Sequence, residues 1–274
     1  MDKPLTTTLQ RGNPQKGGDG HDSWPRVPHH FRALSTPLPP PWEDIFGPLR
    51  TGKVDDLVIV GQIGQSLDGR VATTTGRSHY INGLAGVAHL HRLRALVDAV
   101  LVGVETACSD DPQLTVRHVE GPNPVRVVLD PRGRLPPNAR LLGRDSRRIV
   151  VTAKGVDCRL PGAEILPLPA AQGYIAPVTI LAALAERGLR RVLVEGGPAT
   201  VSRFLRAGCL DRVHIVVAPL ILGAGRPSLS FGAIDRVDEA LRPSVRTHRL
   251  GDETLFDCDF SAQRTAIWRA QKST

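Results

Sequence analysis

Aromatic residues are scarce in this sequence: Phe, Trp and Tyr make up 4% of its 274 residues, although hydrophobic residues together make up 41%. A core must therefore be built from Val, Leu, Ile and Ala, and the length suits one domain plus an extension, or two small domains. No run of about 18 apolar residues occurs, and no apolar signal-peptide core follows Met1. We expect a cytoplasmic protein without membrane-spanning segments.

Cysteines are also few and widely separated. Cys108, Cys158, Cys209 and Cys258 lie about fifty residues apart and form no CxxC pair, so the sequence indicates neither a disulfide framework nor a zinc knuckle. A GxGxxG fingerprint, a Walker A loop, a GxSxG elbow and an HExxH motif are all missing. Residues 118–120 match the HxE of zinc deaminases, but no PCxxC accompanies them. We therefore expect no metal site.

Basic residues predominate over acidic ones. There are 35 Lys and Arg against 27 Asp and Glu, which gives a formal net charge of +8 and a pI of about 9.9. This balance favours anionic partners: nucleic acid, acidic lipid or phosphorylated small molecules. Because the basic residues are spread along the chain without a block of five or six, nucleic acid and membranes are disfavoured as partners.

Residues 1–53 differ from the rest of the chain. They hold nine of the 23 prolines, and such a stretch does not repeat apolar positions regularly enough to form regular structure. Residues 1–20 are predicted to be disordered, and residues 24–48 to form an irregular segment. Four aromatic residues are unusual in a solvated tail and predict that this segment docks on the body, residues 54–274: Trp24, Phe31, Trp42 and Phe46.

From Val54 onward, short β-branched runs alternate with stretches of helical periodicity. Strands are predicted at 57–60, 70–73, 99–102, 125–129, 148–152, 192–194 and 213–218. Helices are predicted at 83–97, 179–187 and 198–207, and a hairpin at 241–260. This order indicates an α/β domain with a mixed, mostly parallel central sheet flanked by helices and an antiparallel C-terminal hairpin.

The segment VLVEGGPAT, residues 192–200, joins a predicted strand that ends at Glu195 to a helix that begins at Pro198. The free N–H groups and the dipole of that first helical turn form an anion site, and the two glycines allow a phosphate to approach the backbone. An ordinary strand-to-helix turn has the same sequence features, so both interpretations stay open.

Two further segments carry mixed polar chemistry. Residues 76–80 bring together a cation, a hydroxyl, an imidazole and an aromatic ring, which suit a ligand with a phosphate and a flat ring; a solvated loop is the alternative. Asp110 and Asp111 could bind a metal, cap a helix or hold hydroxyls, and a metal is disfavoured because no third ligand lies nearby. His89 and His91 fall on different faces of a predicted helix, so they do not form a metal pair.

Six segments taken in order resemble a known family. SLDGRVATTTGRS, LRALVDAVLVG, DDPQLTVR, PVRVVLD, VLVEGG and APLILG are similar to the reductase half of the bifunctional riboflavin-biosynthesis deaminase/reductase and to the stand-alone diaminopyrimidine reductases of archaea and fungi. The similarity spans roughly residues 55–260. It implies a dihydrofolate-reductase-like fold, NADPH as cofactor, a homodimer, and reduction of the ribose of a ribosylaminopyrimidine 5′-phosphate to a ribityl chain.

The resemblance also assigns binding residues by matching positions. The implied NADPH contacts are Gly64, Tyr80, Thr106, Asp110, Gly197, Pro198, Ala199, Thr200, Val201, Ser202 and Arg203. The implied substrate contacts are Ser78, Arg94, Leu114, Arg117 and Glu195. Hydride transfer to C1′ of the opened sugar needs neither a metal nor a nucleophile. Asp68 or Glu195 could orient sugar hydroxyls, and the sequence does not assign a proton donor.

The chain departs from the family pattern at several positions. Gln62 stands where bacterial members usually have Lys, Tyr80 where Trp is common, Glu105 where Gly is usual, and Pro131 where Ser is frequent; Arg132 could compensate for that Ser. Because of these changes, a related NADPH-dependent reductase of another pyrimidine- or pterin-like compound is the second hypothesis. A non-catalytic basic module that binds RNA or a partner through its N-terminal extension is the third alternative.

Overall fold

The computed structural model describes residues 23–78 and 81–267. The strands are β1 (Val58–Ser66), β2 (Arg70–Thr73), β3 (Ala99–Gly103), β4 (Val125–Leu129), β5 (Arg148–Ala153), β6 (Glu164–Leu168), β7 (Arg191–Glu195), β8 (Arg212–Ala218), β9 (Gly225–Pro227), β10 (Ser244–Leu250) and β11 (Glu253–Asp259). The α-helices are α1 (Val27–Arg32), α2 (Trp42–Phe46), α3 (Leu84–Leu96), α4 (Val104–Asp110), α5 (Pro177–Ala185) and α6 (Pro198–Arg206). None of these helices is long and apolar enough to cross a bilayer.

Nine strands form one sheet in the order β10-β11-β8-β1-β7-β3-β4-β5-β6. Neighbouring strands from β8 to β6 run parallel, whereas β11 is antiparallel to both β8 and β10. This confirms the predicted mostly parallel sheet with an antiparallel C-terminal hairpin. The short strands β2 and β9 pair separately and antiparallel.

In the central strands both faces of the sheet are buried, and alternate residues of each strand point to opposite sides. In β3, Leu101 belongs to one apolar cluster and Val100 to the other. The first cluster includes Leu184 of α5 and Phe204 of α6, and the second includes Leu93 of α3. Aliphatic side chains therefore supply most of the core, as the composition predicts.

The N-terminal segment is less irregular than predicted, since it contains α1 and α2. Trp24, Phe31, Trp42 and Phe46 are all buried, in the same apolar cluster as α3. The ring of Phe46 stacks on that of His89 at a centroid distance of 5.5 Å. Helices as short as α1 and α2 are not stable alone, so their packing against the sheet and α3 explains why the sequence pattern did not reveal them.

Beyond residue 54, the structure contains two strands and one α-helix that the sequence pattern did not predict: β6, β9 and α4. It also extends the first predicted strand through Ser66, across two glycines. That extension is stabilised by parallel pairing with β8, in which Gln62 aligns with His214 and Ser66 with Ala218. Local propensity is weak in such segments, and the pairing partner decides their conformation.

Candidate functional site

Two adjoining cavities lie at the carboxyl edge of the parallel strands, where ligands bind in open α/β sheets. The larger has a volume of about 600 Å³ and lies beyond β3, β4 and β7, and the smaller has about 350 Å³ and lies beyond β1 and β7. Thr106, Gly197, Pro198 and Arg226 line both, so the two cavities meet at the start of α6. Such volumes suit small-molecule or cofactor ligands.

The start of α6 is built so that a ligand can approach the backbone closely. Gly197 precedes Pro198, the first residue of α6, and its N–H donates to Oγ1 of Thr106 at 2.7 Å. A Cβ atom at Gly197 would lie only 2.9 Å from that oxygen, and a Cβ at Gly196 would point into open space. The segment from Gly196 to Pro198 is therefore a bare backbone surface facing the meeting point of the cavities.

The larger cavity is strongly basic. Four arginines from different loops and elements line it: Arg132, Arg134, Arg203 and Arg226. Among the lining residues, Glu105 is acidic, and its carboxylate lies 3.7 Å from Arg134. Arg203 also lies over the ring of Tyr174, at 5.0 Å from its centroid. Together with the positive end of the α6 dipole, these guanidinium groups favour a ligand with several phosphate charges.

The smaller cavity contains Glu195, the last residue of β7. Its two carboxylate oxygens accept hydrogen bonds from Nε and Nη2 of Arg94, the former at 2.8 Å. Arg94 also donates from Nη1 to the carbonyl oxygen of Thr115 at 2.9 Å. The side chains of Arg94 and Glu195 are 6% and 13% exposed, so this is a buried, bidentate ion pair. Arg94 fixes the orientation of the Glu195 carboxylate in the cavity.

A cluster of cations surrounds the segment that follows α4. The N–H of Arg117 donates to Nδ1 of His91 at 2.9 Å, and its Nη1 donates to Oγ1 of Thr115 at 2.6 Å. Burial lowers the pKa of Arg117, and the charges of Arg94 and Arg140 lower it further. Burial also lowers the pKa of His91 to about 3, and the charges of Arg94, His118 and Arg117 lower it further. His91 is therefore neutral at physiological pH and can accept this bond.

Asp68 has a structural role. Its carboxylate accepts hydrogen bonds from the Ser66 hydroxyl at 2.6 Å and from the N–H groups of Leu222 and Gly223 at 3.1 and 2.7 Å. The Ser66 bond, followed by these backbone bonds, lowers its pKa to about 2. Asp68 ties the β1–β2 turn to the loop after β8 and lines neither of these two cavities, so its contact with sugar hydroxyls stays a prediction.

Most of the predicted binding residues are brought together by the fold, although they come from distant parts of the chain. The predicted residues that line one or both cavities are Gly64, Ser78, Thr106, Asp110, Leu114, Glu195, Gly197, Pro198, Ala199, Thr200 and Arg203. Tyr80 lies outside the described residues. This clustering is a property of the tertiary structure, and the individual ligand contacts stay predictions.

Four predicted residues do not line the cavities. Arg94 lies behind Glu195, and Arg117 is exposed beside it. Val201 points into the apolar core, and the buried hydroxyl of Ser202 accepts the N–H of Ser230 at 2.9 Å. Val201 and Ser202 lie on α6 between Thr200 and Arg203, which do line the larger cavity, because successive residues of a helix point in different directions.

Several residues that line the cavities were not indicated by any sequence pattern. Asn82 and Arg226 belong to this group, as does Arg134. Arg226 lies on β9, a three-residue strand without an alternating pattern, and is placed by pairing with Ala72 of β2. Its only local signal is a positive charge next to the APLILG segment, which many surface arginines share.

A mostly parallel sheet with an antiparallel C-terminal hairpin, and with cavities at its carboxyl edge, is a dihydrofolate-reductase-like architecture. The chain belongs to the RibD C-terminal domain family, whose model matches residues 58–250. It is 31% identical over 212 residues to the 2,5-diamino-6-ribosylamino-4(3H)-pyrimidinone 5′-phosphate reductase of Methanothermobacter thermautotrophicus, covering 73% of this chain and 96% of that protein.

Larger relatives match over part of their length. The riboflavin biosynthesis protein RibD of Aquifex aeolicus is 38% identical over 201 residues, which cover 70% of this chain and 54% of RibD, so the chain spans about half the length of that relative. The crystal structure of a diaminohydroxyphosphoribosylaminopyrimidine deaminase/5-amino-6-(5-phosphoribosylamino)uracil reductase from Thermotoga maritima is similar with a TM-score of 0.65 and 29% identity, over 79% of this chain and 58% of that one.

Proposed function

We propose that this protein is an NADPH-dependent reductase that converts the ribose of a ribosylaminopyrimidine 5′-phosphate to its ribityl form in riboflavin biosynthesis. The observation that carries the proposal is the pair of adjoining cavities, one basic and one containing the Glu195 carboxylate, which meet at Gly197. The similarity to an archaeal reductase over 96% of that protein's length supports the same activity.

The larger cavity fits a phosphorylated dinucleotide. Its volume is of the size that cofactors occupy, four arginines line it, and the bare backbone from Gly196 to Pro198 leaves room for a pyrophosphate at the start of α6. Arg132 and Arg203 are the proposed partners of the 2′-phosphate. When bound, NADPH supplies a hydride to the substrate.

The smaller cavity then holds the substrate, whose ribosylamine opens to an imine at C1′. Glu195 accepts hydrogen bonds from sugar hydroxyls with the carboxylate lone pairs that Arg94 leaves free, and Leu114 covers the apolar side. Arg117 pairs with the 5′-phosphate at the rim. The protein thus orients the sugar against the meeting point of the cavities and excludes water from it. C1′ gains a hydride and the imine nitrogen gains a proton, which solvent supplies.

A related reductase with another heterocyclic substrate is the second candidate. Three of the departures from the family pattern line a cavity: Gln62 lines the smaller one, and Glu105 and Pro131 line the larger one. A changed residue in contact with a ligand alters specificity more directly than one elsewhere.

A homodimer accompanies the proposed activity. One stretch of the chain carries a series of exposed apolar side chains that a second copy would cover: Ile221, Phe231, Ile234, Val237, Leu241 and Val245. Light scattering across a range of protein concentrations measures the mass directly, and a monomer throughout that range would contradict the dimer.

The function is tested by following NADPH oxidation with ribosylaminopyrimidine 5′-phosphates prepared before and after deamination. We expect turnover of one or both and a ribityl product by mass spectrometry. Turnover of only pterin-like or other pyrimidine compounds would favour the second candidate. If no NADPH binding is detected and residues 1–53 instead bind RNA in a salt-sensitive manner, the non-catalytic alternative is correct.

A further inference from the structure

Asn82 lies between β2 and α3 and lines the smaller cavity. Its amide nitrogen donates one hydrogen bond to the carbonyl oxygen of Val216 in β8, at 3.2 Å, and another to Oε1 of Glu253, at 2.8 Å. Both amide hydrogens are therefore occupied by acceptors of the protein. The Asn82 carbonyl oxygen, Oδ1, accepts no hydrogen bond within residues 23–78 and 81–267.

Glu253, the first residue of β11, holds Asn82 in place. The residue is 4% exposed, and its carboxylate has no cationic partner among the ion pairs of the described chain. Its Oε1 also accepts the N–H of Gly83 at 3.0 Å, and its Oε2 accepts the N–H of Gly86 at 2.7 Å. Glu253 thus caps the N-terminus of the thirteen-residue helix α3 and orients Asn82 with the same carboxylate.

These contacts fix which end of the Asn82 amide faces the cavity. A flipped amide would place Oδ1 against the Glu253 carboxylate and the Val216 carbonyl, where two acceptors repel each other. Oδ1 instead lies directly over Gly64: a Cβ at that position would be only 1.7 Å from it. Any residue larger than glycine at position 64 would displace Asn82, so this glycine of β1 preserves an oriented acceptor beside the cavity.

We propose that Asn82 is a ligand-orienting residue whose Oδ1 accepts a hydrogen bond from an amide or amino N–H group of a ring bound in the smaller cavity, with Glu253 as its positioning residue. This inference rests on the proposed reductase function. Two rings could supply the donor: the carboxamide of nicotinamide or an amino group of the pyrimidine. An oriented acceptor without another partner favours a ring that carries such a donor, because a ring without an N–H group would leave Oδ1 of Asn82 unpaired.

The first test is Asn82→Ala, with NADPH binding followed by fluorescence titration and substrate KM and kcat measured separately. Losing one neutral hydrogen bond should weaken the affected step about three- to tenfold. A weaker NADPH affinity assigns the donor to nicotinamide, and a raised substrate KM with unchanged NADPH affinity assigns it to the pyrimidine. Asn82→Ser, which keeps a donor but is too short to place an oxygen over Gly64, should show the same loss and serves if the alanine variant folds poorly.

The second test is a double-mutant cycle between Asn82→Ala and Glu253→Gln. If Glu253 acts through Asn82, Glu253→Gln weakens the same step in the parent protein but adds no further loss of ligand affinity in the Asn82→Ala background. A purely structural Glu253 would lower the melting temperature alike in both backgrounds without this coupling. Leu84→Ala, at an 84% exposed position in the first turn of α3, is the matched control and should change neither the ligand affinity nor the melting temperature.

The outcomes separate this inference from the function on which it rests. A parent protein that reduces the substrate with NADPH, combined with folded Asn82 variants whose binding and kinetic constants are unchanged, overturns the role of Asn82 alone. Additive losses in the double-mutant cycle overturn the role of Glu253. A parent protein that neither binds NADPH nor reduces the substrate overturns both the proposed function and this inference.

Discussion

At the scale of single residues, the arginines near the smaller cavity differ in what they can do. Arg94 is buried and makes three hydrogen bonds with Glu195 and Thr115, whereas Arg117 is exposed and keeps free guanidinium N–H groups. The resemblance assigns both to the substrate. The geometry favours Arg117 as the phosphate partner and Arg94 as the residue that holds Glu195.

We therefore predict different substrate dependence for the two variants. Arg117→Ala should lower kcat/KM about 10- to 100-fold for the phosphorylated substrate, because a charge-assisted hydrogen bond contributes about 1.5–3 kcal/mol, and much less for the dephosphorylated one. Arg94→Ala should lower activity on both substrates alike. It should also lower the free energy of unfolding by about 3–5 kcal/mol, because it leaves Glu195 buried without a partner.

The measurements are steady-state kinetics with both substrates and urea unfolding of each variant. Arg159→Ala is the control, since Arg159 is an exposed arginine that lines neither cavity. Equal losses on the two substrates for Arg117→Ala would show that Arg117 serves the fold or the cofactor instead.

Cofactor selectivity is also decided by single residues. Arg132 and Arg203 line the larger cavity, so we predict that the parent protein prefers NADPH over NADH. Removing either guanidinium group should reduce the ratio of kcat/KM with NADPH to kcat/KM with NADH by about tenfold or more. The main cause would be weaker binding of NADPH. Arg206→Ala, on the same helix but outside the cavity, should leave the ratio unchanged. Equal efficiency of the parent with both cofactors would contradict this prediction.

At the scale of secondary-structure elements, the start of α6 is the part of the site where backbone, not side chain, faces the two cavities. Gly197→Val should abolish NADPH binding while the protein still folds, because Gly197 has a φ of −63° that valine tolerates. The new side chain would block the approach of a phosphate. Fluorescence titration measures the affinity, and circular dichroism measures the fold.

The close contact between position 197 and Thr106 needs its own control. A Cβ at 197 would lie 2.9 Å from the Thr106 hydroxyl, so part of any effect could come from that clash. Gly197→Val combined with Thr106→Ala removes it. If the double variant recovers NADPH affinity, the clash and not the blocked phosphate approach is responsible; unchanged affinity in the single variant would mean that the junction is only structural.

The C-terminal hairpin contains a buried ionic network whose contribution depends on pH. Asp257 of β11 accepts hydrogen bonds from Nε and Nη2 of Arg212, at 2.8 and 2.6 Å, and lies 3.3 Å from Nε2 of His214. Burial by itself would raise the pKa of Asp257, but His214 and Arg212 more than offset it and hold this pKa well below the ordinary value of 3.8. The charged form of Asp257 thus stabilises the folded state.

We predict that Asp257→Asn lowers the free energy of unfolding by about 3–5 kcal/mol at pH 7, because Arg212 loses its buried counter-charge. A lowered folded-state pKa gives stability that is fully present above the unfolded pKa near 3.8 and declines as the pH falls below it. Urea unfolding between pH 7 and pH 3 should show the difference between parent and variant shrinking below about pH 4. Asp259→Asn, which loses a partly exposed contact with Arg212, should have a smaller effect. A pH-independent difference would contradict this assignment.

At the scale of the whole molecule, the N-terminal segment is part of the second apolar cluster. Trp24 and Trp42 flank the guanidinium of Arg92 at 5.4 and 4.5 Å from their ring centroids, and Phe46 stacks on His89. Both contacts are to α3, the helix that also carries His91 and Arg94. The segment therefore supports the helix that positions Glu195.

Two truncations test this role. Removing residues 1–20 should leave melting and size unchanged. Removing residues 1–53 should lower the melting temperature by about 10 °C or more and promote aggregation, because several large apolar side chains contribute about 1.5–3 kcal/mol each when buried. Thermal melting and size-exclusion chromatography measure both effects. Identical behaviour of the two truncated proteins would show that docking of the segment contributes little.

The alternation of strands and helices, the antiparallel C-terminal hairpin and the glycine-rich junction at Glu195 to Pro198 could all be predicted from the amino-acid sequence alone. Each of these follows from local periodicity, turn residues and helix-start signals, which depend on neighbours within a few positions. The sequence also indicated which aromatic residues of the N-terminal segment would be buried, because such apolar side chains are unusual in a solvated tail.

The contacts that these residues make are known only from the folded chain. Arg94 meets Glu195 across 101 positions, and Glu253 meets Asn82 across 171, so no local pattern records either pair. The first pair shows that Arg94 orients Glu195, and direct contact between Arg94 and the substrate stays a prediction. The second shows why residue 64 is a glycine. Long-range contacts are fixed by how the sheet orders its strands, and that order is a property of the folded chain as a whole.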